Sequence, residues 1–352
     1  MKTVTVHASQ TYEVKVGRGL LAELGREVSR HVKGRAIGLV TDTNVAPLYL
    51  DQAQASLEDV GFRVEPFVMY AGEIYKNPGN YIKLLEYLAE NHVTRADALV
   101  ALGGGVVGDL TGFAAATFLR GIGFIQVPTT LLAAVDASVG GKTAIDLDAG
   151  KNLAGAFYQP RLVLCDLDTL DTLPDEVFAD GCAEVVKYGM IGDPALLDRL
   201  EETDFRKDPE ALVARCVEMK RDLVEEDEFD TGARQLLNLG HTIGHGIEAC
   251  SDYEISHGQA VAMGMCVITR SAIAHGLCPP EVLPRLQALL LRYGLPVETD
   301  FAAGALYDKT LSDKKRAGAT QTLVVPTAWG KSELQQVPVG RLREWIAKGL
   351  KP

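Results

Sequence analysis

Along its first half the chain alternates short continuous apolar runs with segments of helical period. Residues 1–17, ending TVTVHASQTYEVKVG, alternate polar and apolar positions as a hairpin or edge strand does. The pattern then predicts a helix over 19–31 and a buried strand over 35–41 that ends at Asp42. Helix over 44–57, strand over 63–69, helix over 81–92 and strand over 97–102 follow. An alanine-rich helix runs to Phe118, and further strands fall at 124–127 and 162–165. Strand alternating with helix predicts an α/β domain with a doubly wound, mostly parallel sheet, whose ligands lie beyond the carboxyl ends of the strands. Those ends carry Asp42, the loop Gly72-Glu73-Ile74-Tyr75-Lys76, and the glycines after Leu102.

Beyond Leu173-Pro174 the strand pattern stops. Helices are expected over 177–190, from Pro209 onward, through the histidine-rich stretch 238–259, and twice after Pro279-Pro280, before a late strand pair through Val324. The expected organisation is an α/β domain of residues 1–174 and an all-α domain of residues 175–352. Two domains also suit 352 residues, more than one core normally serves.

A net charge of −12 argues against nucleic acid or an anionic membrane as partner. The six cysteines form no CxxC pair and read as small buried hydrophobes of a reducing compartment. The N-terminus reads as a first strand instead of a signal sequence, and the longest mainly apolar run, 110–119, is too short to span a bilayer. A cytoplasmic location is expected.

Candidate chemistry concentrates in NLGHTIGHGIEACSDYEISHGQ, residues 238–259. Leu236, Leu237, Ile243 and Ile247 recur at near-helical spacing, so His241 and His245 leave one helical face. His257 stands ahead of a second apolar helix, with Ser256 as its expected cap. Converging imidazoles point to a divalent metal, most often zinc. A pair of histidines sharing a face by chance is the alternative, and HxxxH alone leaves both open. Upstream, Gly103, Gly105 and Gly108 satisfy GxGxxG between a strand and a helix, a context in which backbone N–H groups cradle a pyrophosphate. The loop follows a late strand, and Asp42 is the better candidate for a ribose hydroxyl. GGKT at 140–143 is no P-loop, because Asp136 stands where its first glycine belongs. Lys142, Lys151 and Asn152 are expected in glycine-rich loops. Glu184 sits among apolar residues, three before Lys187, and a carboxylate there needs a reason, which a metal supplies. The acidic run 225–228 reads as a solvated face.

Taken together, GGGVVGDLTGF, RGIGFIQVPTTLLAAVDASVGGKTAID, GKNLAGAFYQP, GCAEVVKYGMI, LNLGHTIGHGIE, SHGQAVAMGM and DKK resemble the 3-dehydroquinate synthase family over about 42–315. That resemblance implies a nucleotide-binding α/β domain, a helical metal-binding domain, NAD+, one divalent zinc or cobalt, and a homodimer. It implies conversion of 3-deoxy-D-arabino-heptulosonate 7-phosphate to 3-dehydroquinate through transient oxidation, phosphate elimination, re-reduction, ring opening and aldol closure. By the same resemblance Glu184, His241 and His257 are metal ligands, and His245 contacts substrate instead. Asp42, Asn44, Glu73, Lys76, Gly103, Gly104, Gly105, Asp109, Thr129, Thr130, Lys142 and Lys151 are implied around NAD+. Asp136, Lys142, Asn152, Lys187, Lys220, Arg234, Asn238, His245 and one lysine of the DKK turn, Lys314 in preference to Lys315, are implied around substrate, with Arg120 reaching the neighbouring subunit's site. Asp146 and Gln259 depart from common family residues, Asp146 neutrally and Gln259 as tuning at most. Related sugar-phosphate cyclases, metal-dependent polyol dehydrogenases and a non-enzymatic NAD- or zinc-binding regulator are the rival readings. Arg234 and Asn238 favour a carboxylate-bearing substrate.

Overall fold

The computed structural model describes residues 1–313 and 319–350, which form two compact units. The first contains residues 1–173 together with 209–229, and the second contains 174–208 and 230 onward.

Unit 1 is built on β1 (Lys2–His7), β2 (Thr11–Gly17), β3 (Ala36–Asp42), β4 (Arg63–Met69), β5 (Ala98–Gly103), β6 (Gly123–Pro128) and β9 (Leu162–Asp166). Their order across the sheet is β1-β2-β9-β6-β5-β3-β4, parallel throughout except for the antiparallel β1–β2 hairpin at one edge. β5, β6 and β9 are buried along their whole length, as strands covered on both faces must be. Alternate residues feed two apolar layers. Ile37, Leu39, Val100 and Leu102 pack with Leu24, Val28 and Leu57 of α1 (Leu24–Ser29) and α2 (Ala46–Asp59). On the opposite face Val40, Leu99 and Phe124 pack with Leu84, Leu88 and Leu110 of α3 (Pro78–Glu90) and α4 (Gly105–Thr117).

Two expectations change here. Lys142, Lys151 and Asn152 lie on strands, because β7 (Lys142–Leu147) and β8 (Gly150–Phe157) form an antiparallel hairpin beside the main sheet. The helix α7 (Pro209–Glu226), which follows the change of pattern at Pro174, packs with unit 1 on β1, β2 and a π-type turn at Ala133–Ala137. Its acidic end is more than a solvated face. Glu225 accepts the His7 N–H at 2.7 Å, and Glu228 accepts the Ser9 N–H at 2.8 Å and the Gln159 amide at 2.8 Å.

Unit 2 is helical, with α5 (Asp175–Gly192), α6 (Pro194–Glu202), α8 (His241–Cys250), α9 (His257–Ala274), α10 (Val282–Arg292), α11 (Ala303–Asp313) and α12 (Val339–Gly349). The strands β10 (Thr320–Ala328) and β11 (Lys331–Pro338) add an antiparallel hairpin, so this part is not all-α. The expected helix through Leu236 and Leu237 is also broken, and its α-helical part starts late. Residues Ala233–Asn238 form a 3-10 turn, Gly240 takes the left-handed φ of 80°, and α8 starts afresh at His241. Among the described residues no helix is long and apolar enough to cross a membrane.

Candidate metal and nucleotide sites

In unit 2, three elements converge through backbone-to-backbone packing. A Cβ on Gly264 of α9 would stand 2.1 Å from the Gly240 carbonyl oxygen, and one on Gly258 would stand 2.3 Å from Asp180 Cα on α5. Only glycine lets α9 approach both α8 and α5 this closely. Ser256 holds the same junction. It occupies the N-cap position of α9, but its hydroxyl donates to Asp180 Oδ1 at 2.6 Å in place of the expected helix cap.

The result is a cluster of Glu184, His241 and His257, whose ligand atoms lie within 4.8 Å of one another. Glu184 is 1% exposed, and neither of its carboxylate oxygens accepts a hydrogen bond. Its Oε2 is in ion-pair contact with Lys187 one turn on. Its Oε1 faces His241 Nε2 at 3.6 Å and His257 Nε2 at 3.5 Å. Four-coordinate zinc with bonds of about 2.0–2.1 Å separates its ligand atoms by roughly 3.3 Å, so these spacings fit one cation. Lys187 compensates Oε2, but the buried Oε1 is costly to leave without a partner unless a cation completes it.

The imidazoles are prepared in different ways. Burial, with Lys187 and the other two histidines beside it, holds His241 well below its usual pKa and keeps it a neutral donor. Burial also opposes charging His257, but the carboxylates of Glu184 and Glu248 outweigh it and raise that pKa to about 10. His245, on the face shared with His241, has its ring centroid 5.6 Å from that of His241 and 6.1 Å from that of His257. Arg234 and Asn238 lie in the 3-10 turn just before α8, Arg234 almost wholly buried.

Unit 1 gathers the other predicted residues. Gly103 ends β5 and Gly104 and Gly105 open α4, so the loop presents a helix N-terminus at the carboxyl edge of the sheet. The loop is tight, since a Cβ on Gly103 would stand 2.7 Å from Val107 and one on Gly108 2.7 Å from Gln126. The Thr129 N–H donates to the Gly103 carbonyl at 3.0 Å, and Thr130 Oγ1 accepts the Ala133 N–H at 3.2 Å. Asp42 Oδ1 accepts the N–H groups of Asn44 and Val45 at 2.8 and 3.0 Å and turns the chain into α2.

Lys76 is the hub. It is 3% exposed, and its ammonium lies 2.9 Å from Glu73, 3.2 Å from Asp109, 2.9 Å from Asn152 Oδ1 and 3.9 Å from Asp146. Burial works against its charge, yet Asp109 and Glu73 outweigh it and raise its pKa. Burial lifts Asp109 to about 6 despite Lys76. Asp146, read from sequence as neutral, is part of this node. Its Oδ1 accepts the Asn152 N–H at 2.8 Å, and its own N–H donates to the Lys76 carbonyl at 2.7 Å. Asn152 is thereby held at a left-handed φ of 55°, which Asn tolerates. Nothing in residue type alone singled out Asp146; only the pairing of β7 with β8 brings it there.

Lys220 of α7 reaches Asp136 in the π-type turn, donating to its carbonyl at 2.6 Å and to its carboxylate. Lys142 is exposed at the start of β7 and Lys151 half-buried on β8. Arg120 is exposed in a 3-10 turn, Phe118–Arg120, where it and Leu119 both take left-handed φ values, 67° and 50°. Lys314 lies outside the described residues.

Comparison with known proteins fits this layout. The 3-dehydroquinate synthase N-terminal and C-terminal family descriptions match residues 66–180 and 181–316. The chain is 44% identical to the 3-dehydroquinate synthase of Latilactobacillus sakei over 346 residues, 96% of each chain. In structure it is similar to 2-deoxy-scyllo-inosose synthase complexed with carbaglucose-6-phosphate, NAD+ and Co2+, with a TM-score of 0.89, 26% identity, and coverage of 99% of this chain and 100% of that one. Glycerol dehydrogenase from Schizosaccharomyces pombe shares the fold alone, at a TM-score of 0.63 and 16% identity, with 96% of this chain and 88% of that one covered. The chain belongs to the 3-dehydroquinate synthase family.

Proposed function

We propose that Glu184, His241 and His257 hold one divalent cation, zinc or cobalt, and that the Gly103–Gly105 loop with Asp42, Asn44, Glu73, Lys76, Asp109, Thr129, Thr130, Lys142 and Lys151 binds NAD+. The chain is a 3-dehydroquinate synthase, a phosphate-eliminating lyase of the shikimate pathway acting on a sugar phosphate. The observation that carries the cation site is the buried Glu184 carboxylate, whose Oε2 is paired with Lys187 while its Oε1 faces two imidazole Nε2 atoms at 3.6 and 3.5 Å.

When bound, NAD+ would supply a reversible hydride acceptor, and the cation a Lewis acid for the substrate oxygen at which oxidation occurs. The chain's own groups do the rest. Lys187, in contact with Glu184, supplies fixed positive charge beside the cation ligands. His245 stands next to the ligand imidazoles as the proton carrier of the site. Arg234 offers a planar guanidinium suited to a carboxylate, with Asn238 in the same turn. Asp136 and Lys220 are ion-paired, and Lys142, Asn152 and Lys314 would complete the substrate contacts. Lysines and arginines thus serve a doubly anionic substrate inside a protein of charge −12.

We also propose a cytoplasmic homodimer, in which the strained Leu119-Arg120 turn carries Arg120 to the partner's site. Two consecutive left-handed residues other than glycine are costly and concentrate where geometry serves function.

The test is phosphate release from 3-deoxy-D-arabino-heptulosonate 7-phosphate with NAD+ present, before and after chelation, with glucose 6-phosphate as comparison. Release that a chelator abolishes and zinc or cobalt restores, without net NADH, is the expected result. Stoichiometric NADH would indicate a dehydrogenase, and turnover of glucose 6-phosphate alone a different cyclase.

A further inference from the structure

Two carboxylates face opposite edges of the His257 ring. Glu184 Oε1 lies 3.5 Å from Nε2, and Glu248 Oε2 lies 3.5 Å from Nδ1. Glu248 stands on α8 seven residues after His241 and three after His245, on the face they share, and is only 3% exposed. His241 shows the same division of labour with a different acceptor. Its Nδ1 lies 3.1 Å from the Leu239 carbonyl, and its Nε2 is turned to Glu184.

A neutral imidazole carries one N–H and one lone pair, so an acceptor at Nδ1 selects the tautomer whose lone pair is on Nε2. With a cation bound, that choice would turn the Nε2 lone pair of both rings toward the ion beside Glu184 Oε1. The backbone performs it for His241, because Gly240 turns the chain so that Leu239 faces back on the ring. At His257, which opens α9, the Glu248 side chain takes the part.

We propose that Glu248 is a positioning residue of the cation site: it accepts the Nδ1–H of His257, fixing the tautomer and the ring so that Nε2 binds the ion. The inference rests on the reading of Glu184, His241 and His257 as ligands. His245, Glu248 and His257 also bring ligand atoms within 4.8 Å of one another, the geometry a second cation would need. That reading would strip His257 of its Nδ1 proton, and it makes a different prediction for His245.

The experiment is Co2+ titration of the full-length protein, read by its visible absorption and by competition with a chelator. Glu248→Met keeps the side chain's size and removes the acceptor; it should weaken Co2+ binding about 10- to 100-fold and shift the absorption band. Glu248→Gln keeps an acceptor and should recover most of the affinity, while His245→Ala should bind as the unaltered protein does. Wild-type affinity in Glu248→Met overturns the proposal, as does equal weakening in His245→Ala with uptake of two equivalents. A wild-type protein that takes up no Co2+, or whose uptake survives Glu184→Gln, sinks the ligand reading itself. Imidazole 15N spectra of the zinc-loaded wild type need no variant to fold. They should show Nδ1–H on both His241 and His257, and an Nε2–H on His257 would refute the proposal.

Discussion

Gly264→Ala is a one-methyl change whose cost follows from the α8–α9 crossing. The added Cβ would sit 2.1 Å from the Gly240 carbonyl oxygen and 3.0 Å from the Gly244 nitrogen, where ordinary contact starts at 3.4 Å. The shortfall of about 1.3 Å is against backbone, so no rotamer relieves it and the helices must part. Overpacking of this kind costs about 1–3 kcal/mol, and for a unit of this size that lowers Tm by roughly 2–12 °C. The same parting displaces His257 from His241, and ligand distances tolerate only about 0.2 Å, so Co2+ affinity falls with stability. Gly340→Ala is the control. It makes the same chemical change in the first turn of α12, where nothing lies within 4 Å of the new methyl group. There the loss of unfolded-chain freedom should stabilise by about 0.4–1 kcal/mol. Thermal melts and Co2+ titrations of both variants decide the matter. A Gly264→Ala protein that melts and loads cobalt like the wild type would refute the claim that helix proximity builds the site.

Glu184→Gln should lose bound metal and phosphate release together, whereas His245→Ala should lose phosphate release and retain metal, both read by metal analysis beside the assay. Lys76→Met removes the ammonium that lies within 4 Å of Glu73, Asp109 and Asp146; leaving buried charge uncompensated costs about 3–5 kcal/mol, measurable by denaturant unfolding, and NAD+ affinity should fall as well. Asp109, raised to about 6 by burial, holds its proton in the folded state at pH values where the unfolded chain has released it. Its contribution is therefore present below about pH 4 and lost as pH rises through 6, so wild type should gain stability over Asp109→Asn on acidification across that window. A flat difference between the two from pH 4 to 7 would contradict that.

The sheet was legible because buried parallel strands are continuous apolar runs, and the expected strands over 97–102, 124–127 and 162–165 agree with the fully buried β5, β6 and β9 to within one residue at each end. The hairpin β7–β8 was not, since one face is open to solvent and Gly150, Gly155 and the turn at 148–149 read as loop. The break at Leu239-Gly240 was hidden for a related reason: Leu236, Leu237, Ile243 and Ile247 keep a helical apolar spacing across a left-handed glycine. The histidine cluster was visible as a pair on one face, but spacing alone chose His241 with His245. The partner that completes the Glu184 cluster is His257, brought in by a helix crossing that only tertiary contact encodes. Glu248 escaped notice, and Asp146 was read as a neutral departure, because each acts on a neighbour's orientation, which leaves no mark in residue type.

Residues 209–229 belong to unit 1, although 35 residues of unit 2 precede them in the chain. During synthesis the sheet edge formed by β1 and β2 therefore waits uncovered until α7 has left the ribosome, well after β9 is made. A truncation at residue 174 would leave the His7 and Ser9 N–H groups of that edge without their acceptors Glu225 and Glu228, and exposed edges of this kind invite aggregation. The two units cannot ripen as independent beads on a string. The order of emergence couples their folding, and chaperone demand should fall sharply once about residue 229 is free.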